Sequence, residues 1–181
     1  MASNEYHFVT EWRVLGTVAE IAKIIGDAPG LVRWWPSVYL NVNVLSLGDE
    51  RGLGKVVALY TKGWLPYTLR WQFEVTEVHD YGFTLVASGD FVGRGIWSYR
   101  QAGSEVIIIY DWKILAEKSL LRTFSFIMKP VFGANHRWAM ARGEESLKLE
   151  LLRRRATTDE ERARVGPPPG PTFVKREAAR E

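Results

Sequence analysis

Between Tyr39 and Leu115 the chain alternates so often between strand-like and turn-like composition that few folds can accommodate it. Breaks at Gly48 to Gly54, Gly63 to Pro66, His79 to Gly82, near Gly89 to Gly93 and at Ala102-Gly103-Ser104 divide this stretch into six short runs rich in branched and aromatic residues. None of the breaks reaches the roughly dozen residues that a parallel crossover needs, so the strands are antiparallel. Tyr67, Leu69, Trp71, Phe73 and Val75 share one parity, and Thr68, Arg70, Gln72, Glu74 and Thr76 share the other. A sheet with one dry and one wet face follows. The last run puts Val106, Ile108, Tyr110, Trp112 and Ile114 on one side, and Ile107, Ile109, Asp111 and Lys113 on the other. Near the N-terminus, Tyr6, Phe8, Thr10, Trp12 and Val14 alternate with Glu5, His7, Glu11 and Arg13, which adds a seventh strand.

Helical signals flank this block. Thr17 and Glu20 have the spacing of a capping box, and Val18, Ile21, Ile24 and Ile25 supply an apolar stripe behind it. Gly26-Asp27-Ala28-Pro29 ends that helix and starts a second, which Trp34-Trp35-Pro36 closes. From residue 118 to about 154 the period is helical again. Leu121, Phe124, Met128 and Val131 come first, and Phe132, His136, Met140, Gly143, Leu147 and Leu151 follow, so one long helix is predicted, kinked or broken near Pro130.

Composition excludes several classes. The 181 residues are 46% apolar, enough for one substantial core, and 24 basic against 21 acidic residues leave a net charge of only +3. Such a small surplus is no footprint for nucleic acid. With no cysteine there is no disulfide, thiolate metal site or cysteine nucleophile. His7, His79 and His136 are too dispersed for a metal site, and no cofactor is expected. Gly52-Leu53-Gly54-Lys55 lacks the earlier glycine and the following Ser or Thr of a phosphate loop, and reads as a hairpin turn. No run is apolar enough to span a bilayer and the first residues do not resemble a secretion signal, so a cytoplasmic protein is expected. Composition shifts after Arg155. Residues 156–181 hold four of the eight prolines and five charges of each sign, predicting a flexible Pro-rich tail on a domain spanning 1–155.

In this order of strand, two short helices, six strands and long helix, residues 5 to 153 resemble the helix-grip fold of the START-like superfamily, also called SRPBCC. The resemblance is to its polyketide cyclase/dehydrase-like branch in particular. It is carried locally by Arg33-Trp34-Trp35-Pro36, by Ser88-Gly89-Asp90-Phe91-Val92-Gly93 and by Tyr110-Asp111-Trp112. It implies an α+β architecture in which a curved seven-stranded antiparallel sheet grips a long C-terminal helix over a cavity for an apolar small molecule.

The chain's own residues fit such a hollow, because a strongly curved sheet touches one helix only at its ends. Eight tryptophans exceed what a core of this size needs, and their polar tips want partners when buried. Candidate lining residues are Tyr6, Phe8, Trp12, Tyr60, Trp71, Phe73, Trp97, Tyr110 and Trp112 from the sheet, with Phe132, His136 and Met140 from the helix. For acid/base chemistry His136 is the first candidate, since its spacing to Phe132 and Met140 puts it on the buried helical face; a structural histidine bonded to a strand is the competing reading. Asp111, Arg94 and Tyr60 are weaker, as alternation sends the first two outward and leaves Tyr60 undecided against Thr61. The expected function is binding of an aromatic, polyketide-like or lipid-like molecule as a carrier or sensor. The alternative is a polyketide cyclase, aromatase or dehydratase working through polar groups in the cavity. The oligomeric state is open.

Overall fold

The computed structural model describes residues 5–116 and 119–173, without the side chains of 116–128. The elements, in chain order, are β1 (Glu5–Leu15), α1 (Val18–Ile25), α2 (Leu31–Trp34), β2 (Tyr39–Ser46), β3 (Val56–Lys62), β4 (Thr68–His79), β5 (Gly82–Gly89), β6 (Phe91–Ala102), β7 (Glu105–Ala116), α3 (Ser119–Arg155) and α4 (Asp159–Arg164). The seven strands form one antiparallel sheet in the order β1-β7-β6-β5-β4-β3-β2. Each hairpin places a strand beside its predecessor, and only β1 pairs out of sequence, with β7, from Glu5↔Leu115 to Leu15↔Glu105.

Alternation decides which face is dry. In β1, Tyr6, Trp12 and Val14 are buried while Glu5, His7, Glu11 and Arg13 are exposed. In β4, Leu69, Phe73 and Val75 are buried and Arg70, Gln72 and Glu74 exposed. Register shifts in β2, between Tyr39 and Asn41 and between Val44 and Ser46, and in β4 between Val75 and Glu77, interrupt the ladder where bulges add bend and twist to a sheet. The concave face receives α3.

Thr17 caps α1 as its spacing predicts: its side chain accepts from the Glu20 amide, and the Glu20 carboxylate accepts from the Thr17 amide at 2.9 Å. The same carboxylate takes two 2.8 Å bonds from Arg155 and so ties α1 to the end of α3. Those bonds, the Arg155 pair foremost and the Thr17 amide next, hold Glu20 down to about 2. Glu150, fully buried, accepts from Arg33 at 2.7 and 2.8 Å, from Arg154 at 2.8 Å and from Arg153 at 3.3 Å. Burial pushes this carboxyl up, but the arginines outweigh it and the net shift is downward.

Pro130 lies exposed inside α3, and the helix continues through it rather than breaking there; the ring forfeits one main-chain hydrogen bond at a turn that faces water. The predicted contacts of Leu121, Phe124 and Met128 lie outside the described side chains. Solid core fills the end where α1, α2 and the C-terminal half of α3 meet the sheet, with Ile21, Ile24, Trp34, Ile108, Leu147 and Leu151 all nearly inaccessible. The Phe132-to-Met140 part of α3 instead lies over a hollow.

Candidate functional site: an aromatic cavity beneath the long helix

Under the Phe132-to-Met140 part of α3, the sheet and helix bound a partly open cavity of about 130 Å³. That is close to the ~150 Å³ that admits a benzene ring in an apolar protein interior. From the sheet it is lined by Tyr6 and Phe8 of β1, Leu69 and Trp71 of β4, Phe91 and Trp97 of β6, and Tyr110, Trp112 and Ile114 of β7. Trp35, Val38 and Tyr39 close one end, Thr61, Lys62, Gly63 and Tyr67 border the β3–β4 loop, and Phe132, Asn135, His136, Ala139 and Met140 form the roof.

The rings make a continuous wall. Trp97 stacks on Tyr110 with centroids 4.1 Å apart, Tyr110 stacks on Trp112 at 5.5 Å, and Trp71 packs on Trp112 at 5.7 Å. Gly95 makes the stack possible: a methyl group there would come within 2.9 Å of both the Tyr110 hydroxyl and the Trp112 ring. The rings therefore lie down on the strand instead of standing into the hollow and plugging it.

Polar groups are few and mostly occupied. Trp71 donates its indole N–H to the Thr61 hydroxyl at 3.0 Å, and Asn135 accepts from the Leu65 amide at 3.3 Å, fixing the loop beside the cavity. His136 stacks on Phe8 at 4.1 Å and has its Nε2 3.5 Å from the Thr10 hydroxyl of β1. Burial, with a smaller contribution from the Arg137 charge, pushes this imidazole down to about 4, so it is neutral near pH 7. Desolvation raises the Tyr110 phenol far above its ordinary range, with the Tyr39 phenol adding to the effect, and raises Tyr67 to about 12. These tyrosines are hydrogen-bonding hydroxyls, not phenolates. Among the described residues of the lining Lys62 alone carries a full charge, and none is acidic.

The sequence-derived candidates separate clearly. Trp71, Trp97, Tyr110, Trp112, Phe132, Met140 and His136 all border the cavity, as do Tyr6 and Phe8. Trp12 does not: it is buried against Trp35 and Trp97, at 5.5 Å from each, as part of the solid core. Phe73 shares the parity of Trp71 but lies further along β4, where it borders a second hollow of about 190 Å³ with Ala22, Ile25 and Tyr99. Three candidate acid/base residues stand on the opposite face of the sheet. Asp111 meets His7 at 2.9 Å, Arg94 meets Glu77 at 3.5 Å, and Tyr60 lies beneath the Arg70 guanidinium at 4.3 Å. In β3 it is Val57, Leu59 and Thr61 that face inward. Sequence reasoning missed Lys62 and Asn135. The break in alternation at the end of β3, where Thr61 and Lys62 are both buried, is a property of the folded loop.

Among the described residues no three His, Asp or Glu side chains gather as they would around a metal ion, and no helix is long and apolar enough to cross a membrane.

No family model matches the chain, and no curated protein matches it in sequence. Solved structures do match. A protein of Thermus thermophilus superimposes with a TM-score of 0.66 at 13% identity, over 83% of this chain and 100% of its own. The Zhui aromatase/cyclase from a Streptomyces species gives 0.63 at 14% identity, over 84% of this chain and 97% of that one. A STAR-related lipid transfer protein from Xanthomonas axonopodis gives 0.52 at 13%, over 80% and 85%. Sheet order, helix placement and these superpositions agree: the chain has the helix-grip fold, a seven-stranded antiparallel sheet packed on a long C-terminal helix, as those structures do.

Proposed function

We propose that this protein binds a small hydrophobic molecule with at least one aromatic ring in the cavity beneath α3, as a carrier or sensor. Every described residue that lines the cavity belongs to the 1–155 domain, and the segment from 156 is appended to that domain. The observation that carries this reading is the lining itself: a hollow walled by stacked ring faces, with no carboxylate and one lysine among the described residues that border it. Burying one ring against such walls supplies a few kcal/mol from area alone, before any polar contact. The similar folds include an aromatase/cyclase and a lipid transfer protein, which is in keeping with an apolar guest.

Titration with toluene, followed calorimetrically, tests the reading. Saturable one-to-one binding that weakens in Trp71→Ala and Phe132→Ala is expected, and absence of binding would remove it. One observation favours a catalytic variant of the same reading: His136 borders the cavity as a neutral imidazole, able to accept a proton from a bound ligand. A cyclase or dehydratase acting on a polyketide-like substrate would lose turnover in His136→Ala while still binding that substrate.

A further inference from the structure

A second hollow lies further along the same face of the sheet, where α1, α2 and the link between them face β4, β5 and β6. It holds about 190 Å³ and shares no lining residue with the cavity beneath α3. The divide runs between neighbours of equal parity. On β4, Trp71 borders the cavity and Phe73 the hollow; on β6, Trp97 and Tyr99 divide in the same way. The walls differ in character too, since Ala22, Ile25, Leu31, Val75 and Val78 give the hollow an aliphatic surface where the cavity is faced with rings. A hollow of ~150 Å³ already admits a six-membered ring.

Tyr99 brings an unanswered polar group to this wall. The residue is only 5% exposed, and its hydroxyl has no hydrogen-bond partner among the described residues. Burial pushes the phenol far above its ordinary range, so it is a neutral hydroxyl that can donate one bond and accept another. A buried hydroxyl left unbonded weakens the fold that holds it, and phenylalanine would fill the same shape without that penalty. An oxygen arriving on a ligand would remove the penalty instead. Full charges in the described lining are limited to Arg51, Lys55 and Asp80, all on the hairpins at the mouth. Arg51 meets Asp80 there at 3.2 Å, and Lys55 donates to the Gly26 carbonyl at 3.1 Å. The Arg51–Asp80 pair is exposed and therefore weak, so it does not seal the entrance. An ionised head group would stay among these charges at the mouth, whereas an uncharged oxygen can pass inward to Tyr99.

We propose that this hollow is a second ligand site, for a small uncharged aliphatic molecule whose oxygen exchanges a hydrogen bond with the Tyr99 hydroxyl.

Cyclohexanol is the probe, and backbone amide NMR of the full-length chain reads where it binds. Gly26, Gly52 and Gly82 border the hollow, while Gly63 borders the cavity. Cyclohexanol is expected to shift the first three amides along one saturable curve. Tyr99→Phe should weaken that binding by roughly three- to tenfold, the size of one net hydrogen bond, and raise the melting temperature of the ligand-free chain by a few degrees. Ala22→Leu keeps a strong helix former in α1 and fills the hollow; it should abolish the response at Gly52 and Gly82, with a cooperative thermal melt showing that the chain is folded. No saturable shift at the three glycines, or a shift at Gly63 alone, overturns the site, as does a response that survives Ala22→Leu. Unchanged cyclohexanol affinity in Tyr99→Phe overturns the role of the hydroxyl. A lower melting temperature in that variant overturns it equally, because the hydroxyl would then be serving the fold.

Discussion

Gly143 of α3 lies so close to the indole of Trp35 that a methyl group on its Cα would come within 2.3 Å of the ring. Trp35 in turn packs edge-on against Trp12 at 5.5 Å and Tyr39 at 5.2 Å, and borders the cavity. One missing side chain on the helix thus sets how deeply the tryptophan cluster seats under it.

Gly143→Ala reads this contact directly. Helix propensity alone favours alanine by about 1 kcal/mol, so the sign of the measured change distinguishes propensity from packing. We expect a net loss of about 1–3 kcal/mol in urea unfolding, because the indole is hemmed in and cannot retreat. A stabilised variant would show that helix and ring have room to part.

Gly95→Ala tests the ring stack. The added methyl would press on Tyr110 and Trp112, both of which line the cavity, and is expected to push them into it. Affinity for toluene should fall by about tenfold, far more than one exposed methyl could cause. Equal affinity in calorimetry would place the ligand elsewhere.

His136 makes folding stability depend on pH. Its folded-state pKa of about 4 lies below the unfolded value of about 6.5, so the unfolded chain binds more protons between these limits. Its contribution is therefore complete above about pH 6.5 and is lost as pH falls toward 4, at a slope approaching 1.4 kcal/mol per unit at most. Unfolding measured from pH 5 to 6.5 should show this slope in the native chain and a flatter one in His136→Gln. Identical slopes would mean that water reaches the imidazole.

Glu150→Gln removes the charge at the centre of the Arg33, Arg153 and Arg154 cluster. The carboxylate is fully buried while the arginines are partly hydrated, so the expected cost is about 2–3 kcal/mol, at or below the lower end for breaking a buried pair. A double-mutant cycle with Arg33→Met checks the assignment: coupling near zero would make the cluster incidental.

The architecture was legible because it is written in local period. Alternation in β1, β4 and β7 names the dry face without reference to any neighbour, and the Thr17–Glu20 spacing marks a helix start that the structure reproduces. The site was legible only in part. In β3, Tyr60 and Thr61 offer two comparable faces, and the choice falls to Thr61 through pairing with Leu69 while Tyr60 pairs with Arg70. That register is a long-range property. Phe73 shows a second limit, since parity gives the face of a sheet but not the distance along it, and one side can border two hollows. Lys62 shows a third. Nothing in its neighbours distinguishes it from an ordinary lysine at a strand end, because its burial depends on Thr172, 110 positions later.

The pairing of β1 with β7 has a bearing on biogenesis. Every other strand finds its partner one hairpin away, but the first eleven-residue ribbon, with Tyr6, Phe8, Trp12 and Val14 on its greasy side, has no sheet to join until residues 105–116 have been made. On the ribosome it must wait unpaired through roughly ninety residues of synthesis, some 5–20 s at typical elongation rates. Completion of the sheet is therefore a late event of high contact order, and the apolar side of the emerging ribbon stays open to non-native contacts until then.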